Sequence, residues 1–203
     1  ARESGSREWI AIASSADGTK LVAVVEDGLI YTSIDSGATW TARESSRNWQ
    51  SIASSADGTK LAAGVGNGMI YTSTDSGLTW TERGSYRGWY GIASSADGTK
   101  LAAVAYGSQI YTSTDSGVTW TARLSDANRG WYGIASSADG TTLAAVGSGG
   151  QIYTSTDSGA TWTPRESNRF WYSIASSTDG SKLAAVVLMG QIYTSTDSGA
   201  TWT

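Results

Sequence analysis

Along this chain, short runs of apolar and β-branched residues break every few positions at a cluster containing Asp or Gly. Trp89-Tyr90-Gly91-Ile92-Ala93-Ser94-Ser95 ends at Ala96-Asp97-Gly98-Thr99, and Asp-Gly tolerates the positive φ of a tight hairpin. Leu101 to Ala105 is a second run, followed by a Gly-containing turn. Gln109-Ile110-Tyr111-Thr112-Ser113 is rich in β-branched and aromatic residues, and Asp115-Ser116-Gly117 turns the chain again before Thr119-Trp120-Thr121. No segment sustains a helical period, and the Ala-Ala pairs are too short to argue for one. The pattern predicts four short strands in an antiparallel meander.

That meander recurs. One tryptophan series runs Trp9, Trp49, Trp89, Trp131, Trp171, and the other runs Trp40, Trp80, Trp120, Trp162, Trp202. Both advance in steps of 40, 40, 42 and 40 residues, so all ten tryptophans are used, two per repeat. The longer step carries two extra residues within Leu124–Arg129. One such sheet cannot bury both faces alone, but several stacked around an axis can. The expected fold is therefore all-β: a single five-bladed β-propeller domain over 1–203. Its blades would be four-stranded and about 40 residues long, near 9–48, 49–88, 89–130, 131–170, and 171–203 completed by 1–8. The junction Thr201-Trp202-Thr203 to Ala1-Arg2-Glu3-Ser4 reproduces Thr39-Trp40-Thr41-Ala42-Arg43-Glu44-Ser45, which predicts a ring closed within one chain. Small residues on the first strand are expected nearest the axis, and the Trp40 series on the outermost strand, where sheets splay.

Ser33-Ile34-Asp35-Ser36-Gly37-Ala38-Thr39-Trp40 has the form Ser-x-Asp-x-Gly-x-Thr-Trp, and it recurs at 73–80, 113–120, 155–162 and 195–202. With these motifs the chain resembles Asp-box (BNR) β-propellers of the sialidase, sortilin and photosystem assembly factor (Ycf48-like) type. The resemblance places the box in the hairpin between third and fourth strands. It makes Asp35, Asp75, Asp115, Asp157 and Asp197 structural, accepting hydrogen bonds from the turn while Gly takes the left-handed position and Trp packs beneath. A second aspartate series, Asp17, Asp57, Asp97, Asp139 and Asp179, lies in the first hairpin turn, where the turn reading also dominates. Neither turn clusters carboxylates as a calcium loop does, so no metal is expected.

The five copies differ from one another in two places. Second hairpin turns read Val25-Glu26-Asp27-Gly28-Leu29, Val65-Gly66-Asn67-Gly68-Met69 and Ala105-Tyr106-Gly107-Ser108-Gln109 in the first three. Connections between repeats, such as Glu44-Ser45-Ser46-Arg47-Asn48 and Gly84-Ser85-Tyr86-Arg87-Gly88, vary as much. In a four-stranded meander both emerge at the same end, so variation gathers on one face while the scaffold stays fixed, the logic of a recognition module. Arg7, Arg47, Arg87, Arg129 and Arg169 each stand two residues before the first-strand Trp on that face. Arg43, Arg83, Arg123, Arg165 and Arg2 form another series. Two readings stand for these guanidinium groups: repeated stacking and interblade hydrogen bonding, or a ring that binds anions. Tyr90, Tyr132 and Tyr172 follow the first-strand Trp in three adjacent repeats, where the others have Ile10 and Gln50. The candidate ligand-binding set is thus Arg87, Arg129, Arg169, Tyr90, Tyr132 and Tyr172.

Composition narrows the chemistry. The chain has 203 residues, a formal charge of −4, and neither cysteine nor histidine. Disulfides, thiol nucleophiles, Cys/His zinc sites and a histidine base are thereby excluded. The aliphatic run Leu183–Met189 is too short to span a bilayer, and the acidic balance gives no reason to expect nucleic acid or an anionic membrane. An opening of Ala1-Arg2-Glu3-Ser4 shows no signal peptide and no Met, as expected of a processed product or an excised piece. Sialidase resemblance implies an arginine cluster, a tyrosine nucleophile and an acidic partner. Here the arginines repeat symmetrically, and Glu3, Glu8, Glu26, Asp27, Glu44, Glu82, Asp126 and Glu166 are scattered over loops, so no carboxylate pair is set for acid/base work. The expectation is a non-enzymatic scaffold without cofactor, a monomer, with a binding face on its variable loops. Its ligand would be a glycan, an acidic small molecule or a protein, and a natural form would be extracellular or periplasmic. Copies this similar also fit a designed scaffold with no dedicated ligand.

Overall fold

In the computed structural model, which describes residues 7–124 and 126–203, the expected turns break the chain into short antiparallel strands. The first repeat forms a sheet of β1 (Trp9–Ser14), β2 (Leu21–Val25), β3 (Gly28–Ser33) and β4 (Thr41–Arg47), in sequence order. The second forms β5 (Trp49–Ser54), β6 (Leu61–Val65), β7 (Gly68–Ser73) and β8 (Thr81–Arg87) in the same way. The third supplies β9 (Trp89–Ser94), β10 (Leu101–Ser108), β11 (Ile110–Ser113) and β12 (Thr121–Arg123). The fourth supplies β13 (Arg129–Ser136), β14 (Leu143–Ser148), β15 (Gly150–Ser155) and β16 (Thr163–Arg169). These two join along one edge, because the lengthened β10 pairs Tyr106 with Gly130 and Ser108 with Arg129. The last repeat shows three strands, β17 (Trp171–Ser176), β18 (Leu183–Val187) and β19 (Ile192–Ser195). Beyond them, Thr194 and Thr203 exchange two backbone hydrogen bonds of 2.9 Å, the first rung of a fourth strand. The expected continuation through Ala1–Ser4, Arg2 included, lies outside the described residues.

The sheets stack face to face with β1, β5, β9, β13 and β17 side by side along the inner edge. The core lies between sheets rather than within them. Trp49, fully buried, inserts against Val22, Val24 and Ile30 of the preceding repeat; Trp89, Trp131 and Trp171 repeat the insertion one, two and three steps on. Each of these indoles also meets a tyrosine of its own sheet edge-on, Trp49 with Tyr71 at 5.3 Å and Trp89 with Tyr111 at 5.1 Å. Backbone hydrogen bonds of 2.7 Å link successive first turns: Ala16 N–H to Ala56 C=O, Ala56 to Ala96, Ala96 to Ala138, and Ala138 to Thr178.

Three expectations change. The inner strands, expected to carry small residues nearest the axis, also carry Trp49, Trp89, Trp131 and Trp171, which fill the gaps between sheets. The Trp40 series lies not on the outermost strand but in the turn before it, since β4, β8, β12 and β16 begin one residue later. There the motif itself needs the indole: Trp80 Nε1–H donates to Gly77 C=O at 3.1 Å, and Trp120 to Gly117 at 3.0 Å. Finally, the variable stretch Glu44–Arg47 is strand rather than link. It completes β4 around a bulge, pairing Arg43 with Ile30 and Arg47 with Gly28, so single residues such as Asn48 and Gly88 connect the first sheets.

Candidate ligand-binding face

The turn aspartates hold the scaffold. Asp115 accepts the Thr119 N–H at 2.9 Å, the Thr119 hydroxyl at 2.6 Å and the Ser113 hydroxyl at 2.8 Å, while Ser113 Oγ accepts the Gly117 N–H at 2.9 Å. Gly117 sits at φ +84°, the left-handed region glycine favours. The Thr119 hydroxyl, then the N–H and the Ser113 hydroxyl, hold the Asp115 carboxyl down at about 2. In the first turns Asp97 is held at about 2 chiefly by the Ser95 hydroxyl and then by Thr99. Hydroxyls and amides therefore saturate these carboxylates from within their own turns. Among the described residues no group of three or more acidic side chains could hold a metal ion.

At the opposite end, the inner strands carry a bulge directly after each tryptophan. Register slips between Trp89 and Gly91, Trp131 and Gly133, and Trp171 and Ser173, which leaves Tyr90, Tyr132 and Tyr172 as the extra, unpaired residues. A bulge re-aims its side chain away from the sheet. The three phenols converge: Tyr90 and Tyr132 are 6.0 Å apart between ring centres, and Tyr132 and Tyr172 5.7 Å. Tyr106, from the end of β10, joins them at 5.7 Å from both Tyr90 and Tyr132. Burial, with the neighbouring phenols, pushes the Tyr132 pKa up. Tyr90, Tyr106 and Tyr172 stay 36%, 52% and 54% exposed, so the cluster presents ring surface to solvent. Its other flank is polar, where Gln50 donates to Asn48 Oδ1 at 2.9 Å and to Glu26 at 3.3 Å. Sequence reasoning missed Tyr106 because it falls in a stretch of variable sequence; an aromatic residue where the other repeats have Glu26, Gly66, Ser148 and Leu188 is the signal that could have found it.

The arginines go elsewhere. Arg87, Arg129 and Arg169 lie over the Tyr111, Tyr153 and Tyr193 rings at 4.8 to 4.9 Å, and Arg7 and Arg47 repeat this over Tyr31 and Tyr71. Carboxylates occupy several of them as well: Asp126 takes Arg129 through both oxygens at 2.9 and 3.0 Å, and Glu44 and Glu166 pair with Arg47 and Arg169. Arg129 lines an open groove of about 440 Å³ with Gln151 and Tyr153. Of the six candidate residues the structure thus gathers the three tyrosines into one patch, and places the three arginines against the tyrosine–tryptophan pairs between sheets.

No protein-family model matches the sequence, and neither does any curated protein. Solved structures do. The chain superposes over its whole length on 70% of a Ycf48 chain bound to D1 peptide, with a TM-score of 0.74 at 17% identity. It also superposes, over 94% of its length, on 65% of the Cps50 (Swd1) β-propeller chain, with a TM-score of 0.75 at 16% identity. The fold is that of a β-propeller. A GH74 enzyme of Niastella koreensis matches at 25% identity and a TM-score of 0.72, with 95% of this chain covering 30% of that one. Propellers with this likeness therefore include both an enzyme and a peptide-bound protein, and the fold does not choose between them.

Proposed function

We propose that this chain is a non-enzymatic, five-bladed Asp-box propeller that binds a glycan at the tyrosine patch of its variable face. The observation that carries the reading is the convergence of Tyr90, Tyr106, Tyr132 and Tyr172, three of them delivered by bulges, with their rings partly exposed. Clustered aromatic faces offer apolar area with hydroxyl groups at the edge, which suits the alternating C–H and O–H surface of a sugar ring. An acidic ligand fits less well, because the arginines that would receive it already engage carboxylates and tyrosine rings. Catalysis is disfavoured on similar grounds: ten aspartates are saturated by their own turns, and Glu44, Asp126 and Glu166 pair with arginines.

A glycan array tests this. Hits are expected for the native chain, with affinity falling roughly tenfold in Tyr172→Ala, the about 1.4 kcal/mol that one aromatic contact contributes. Native affinity in that variant, or an array without hits, overturns the reading. Ycf48 with D1 peptide supports a second reading, an extended peptide on the same patch, which a peptide panel with the same variant would reveal.

A further inference from the structure

Four interfaces between successive sheets are built alike, and the two outer faces of the stack carry the halves of a fifth. On the leading side of each internal interface stands an isoleucine, Ile30, Ile70, Ile110 or Ile152, buried to 0% exposure by the next repeat's tryptophan. Lysine crosses three of these interfaces to a backbone carbonyl, Lys20 to Asp57 at 3.0 Å, Lys60 to Asp97 and Lys100 to Asp139 at 2.9 Å. The same lysines cover Gly58, Gly98 and Gly140, where an added Cβ would lie 2.8 Å from the side chain.

At the ends these partners are present but apart. The matching isoleucine, Ile192, is 71% exposed. Trp9, which should cover it, is 39% exposed, and Ile12 is 64% exposed where Ile52, Ile92, Ile134 and Ile174 are buried. Gly18 has nothing within 4 Å of a built Cβ, although Gly58, Gly98 and Gly140 are all covered. Among the described residues, the chain of first-turn hydrogen bonds stops at Thr178 without returning to Ala16, and β17–β19 make no extended contact with β1–β4. The closed ring expected from the sequence is not formed by the described residues.

We propose that these faces bind a second copy of this chain head to tail, β17–β19 of one copy docking on β1 of the other. Ile192, Val186 and Ala184 would receive Trp9 of the second copy. Lys182 would reach its Asp17 carbonyl, and the Thr178 N–H its Ala16 carbonyl. The four internal interfaces show what chemistry covers each face, and the opposite end of another copy supplies it residue for residue. Such an interface is heterologous, so it propagates or closes a larger ring rather than making a two-fold dimer. This replaces the monomer that ring closure implied, and it does not depend on what the tyrosine patch binds.

Sedimentation velocity over a concentration series tests the proposal on the full chain. The native protein should sediment at twice the chain mass or more, increasingly so with concentration. Ile12→Asp and Ile192→Asp should each sediment as monomers with unchanged circular dichroism, since both side chains are exposed in the single chain. Mixing the two variants should restore a species of two chains and nothing larger, because one intact head meets one intact tail. A native protein that stays monomeric at every concentration overturns the proposal. So do single variants that associate like the native chain, or a mixture that stays monomeric.

Discussion

Each turn aspartate accepts short hydrogen bonds from two hydroxyls, a serine with a threonine or, at Asp179, two serines, and from a backbone N–H, and so remains ionised far into acid. Asp17, Asp35, Asp75, Asp97, Asp115, Asp139, Asp157, Asp179 and Asp197 are all held near about 2, and Asp57 is lowered as well. An unfolded aspartate titrates at about 3.9. Because the folded values lie below that, the folded state binds fewer protons in between, and the stabilisation present above the unfolded value is lost as pH falls toward the folded one. Thermal midpoints should therefore be level from neutral to about pH 5 and fall steeply between about pH 4 and 2. A midpoint unchanged down to pH 2 would show that these bonds do not differ between folded and unfolded chains. The turns, not any catalytic centre, set this acid limit.

Among the elements, the interfaces between sheets are alike but not equal. Lys100 spans from the third repeat to the Asp139 carbonyl and also reaches Ser158 Oγ at 3.2 Å. The residue at the same place in the fourth repeat is Thr142, which packs over Gly180 but is too short to bridge. The step onto β17–β19 thus lacks a contact that the three preceding steps have. Thr142→Lys should supply it, with the ammonium reaching the Asp179 carbonyl, and raise stability by up to about 1 kcal/mol, the net contribution of one such hydrogen bond. Urea unfolding would measure this. A destabilised variant would mean that the buried Thr142 methyl contributes more than the bridge.

For the whole molecule, stability resides in sheet-to-sheet packing, so equivalent tryptophans should differ in weight with their position in the stack. Trp131 is buried between two sheets, and Trp131→Ala should cost about 3–5 kcal/mol. Trp9 occupies the same position in its repeat but lies on an uncovered face. At protein concentrations where the chain is monomeric, Trp9→Ala should cost well under half as much. Equal losses for the two would place Trp9 in a closed ring. The comparison isolates closure from sequence, because both residues lie on an inner strand just before its bulge and meet a tyrosine of their own sheet, Trp9 with Tyr31 at 5.2 Å and Trp131 with Tyr153 at 5.4 Å.

Repetition made most of the architecture legible in one dimension. The two tryptophan series, the Asp-Gly turns and the Ser-x-Asp-x-Gly-x-Thr-Trp motif dictate short antiparallel strands in repeated sheets, because hairpin turns and hydroxyl–aspartate bonds are local and need no distant partner. Strand ends were less legible. Trp80, Trp120, Trp162 and Trp202 read as strand, yet the turn claims them, since each indole N–H bonds a carbonyl within the motif. At the variable face the sequence named Tyr90, Tyr132 and Tyr172, but it could not say that a bulge frees each of them, or that Tyr106 from the lengthened β10 completes the patch. It left the arginines open between stacking and anion binding, and the structure lays each first-series guanidinium over a tyrosine ring. Whether the last sheet meets the first was also beyond a local reading. Closure depends on the angle between successive sheets, set jointly by the tryptophans wedged in every gap, and only the tertiary structure sums those angles.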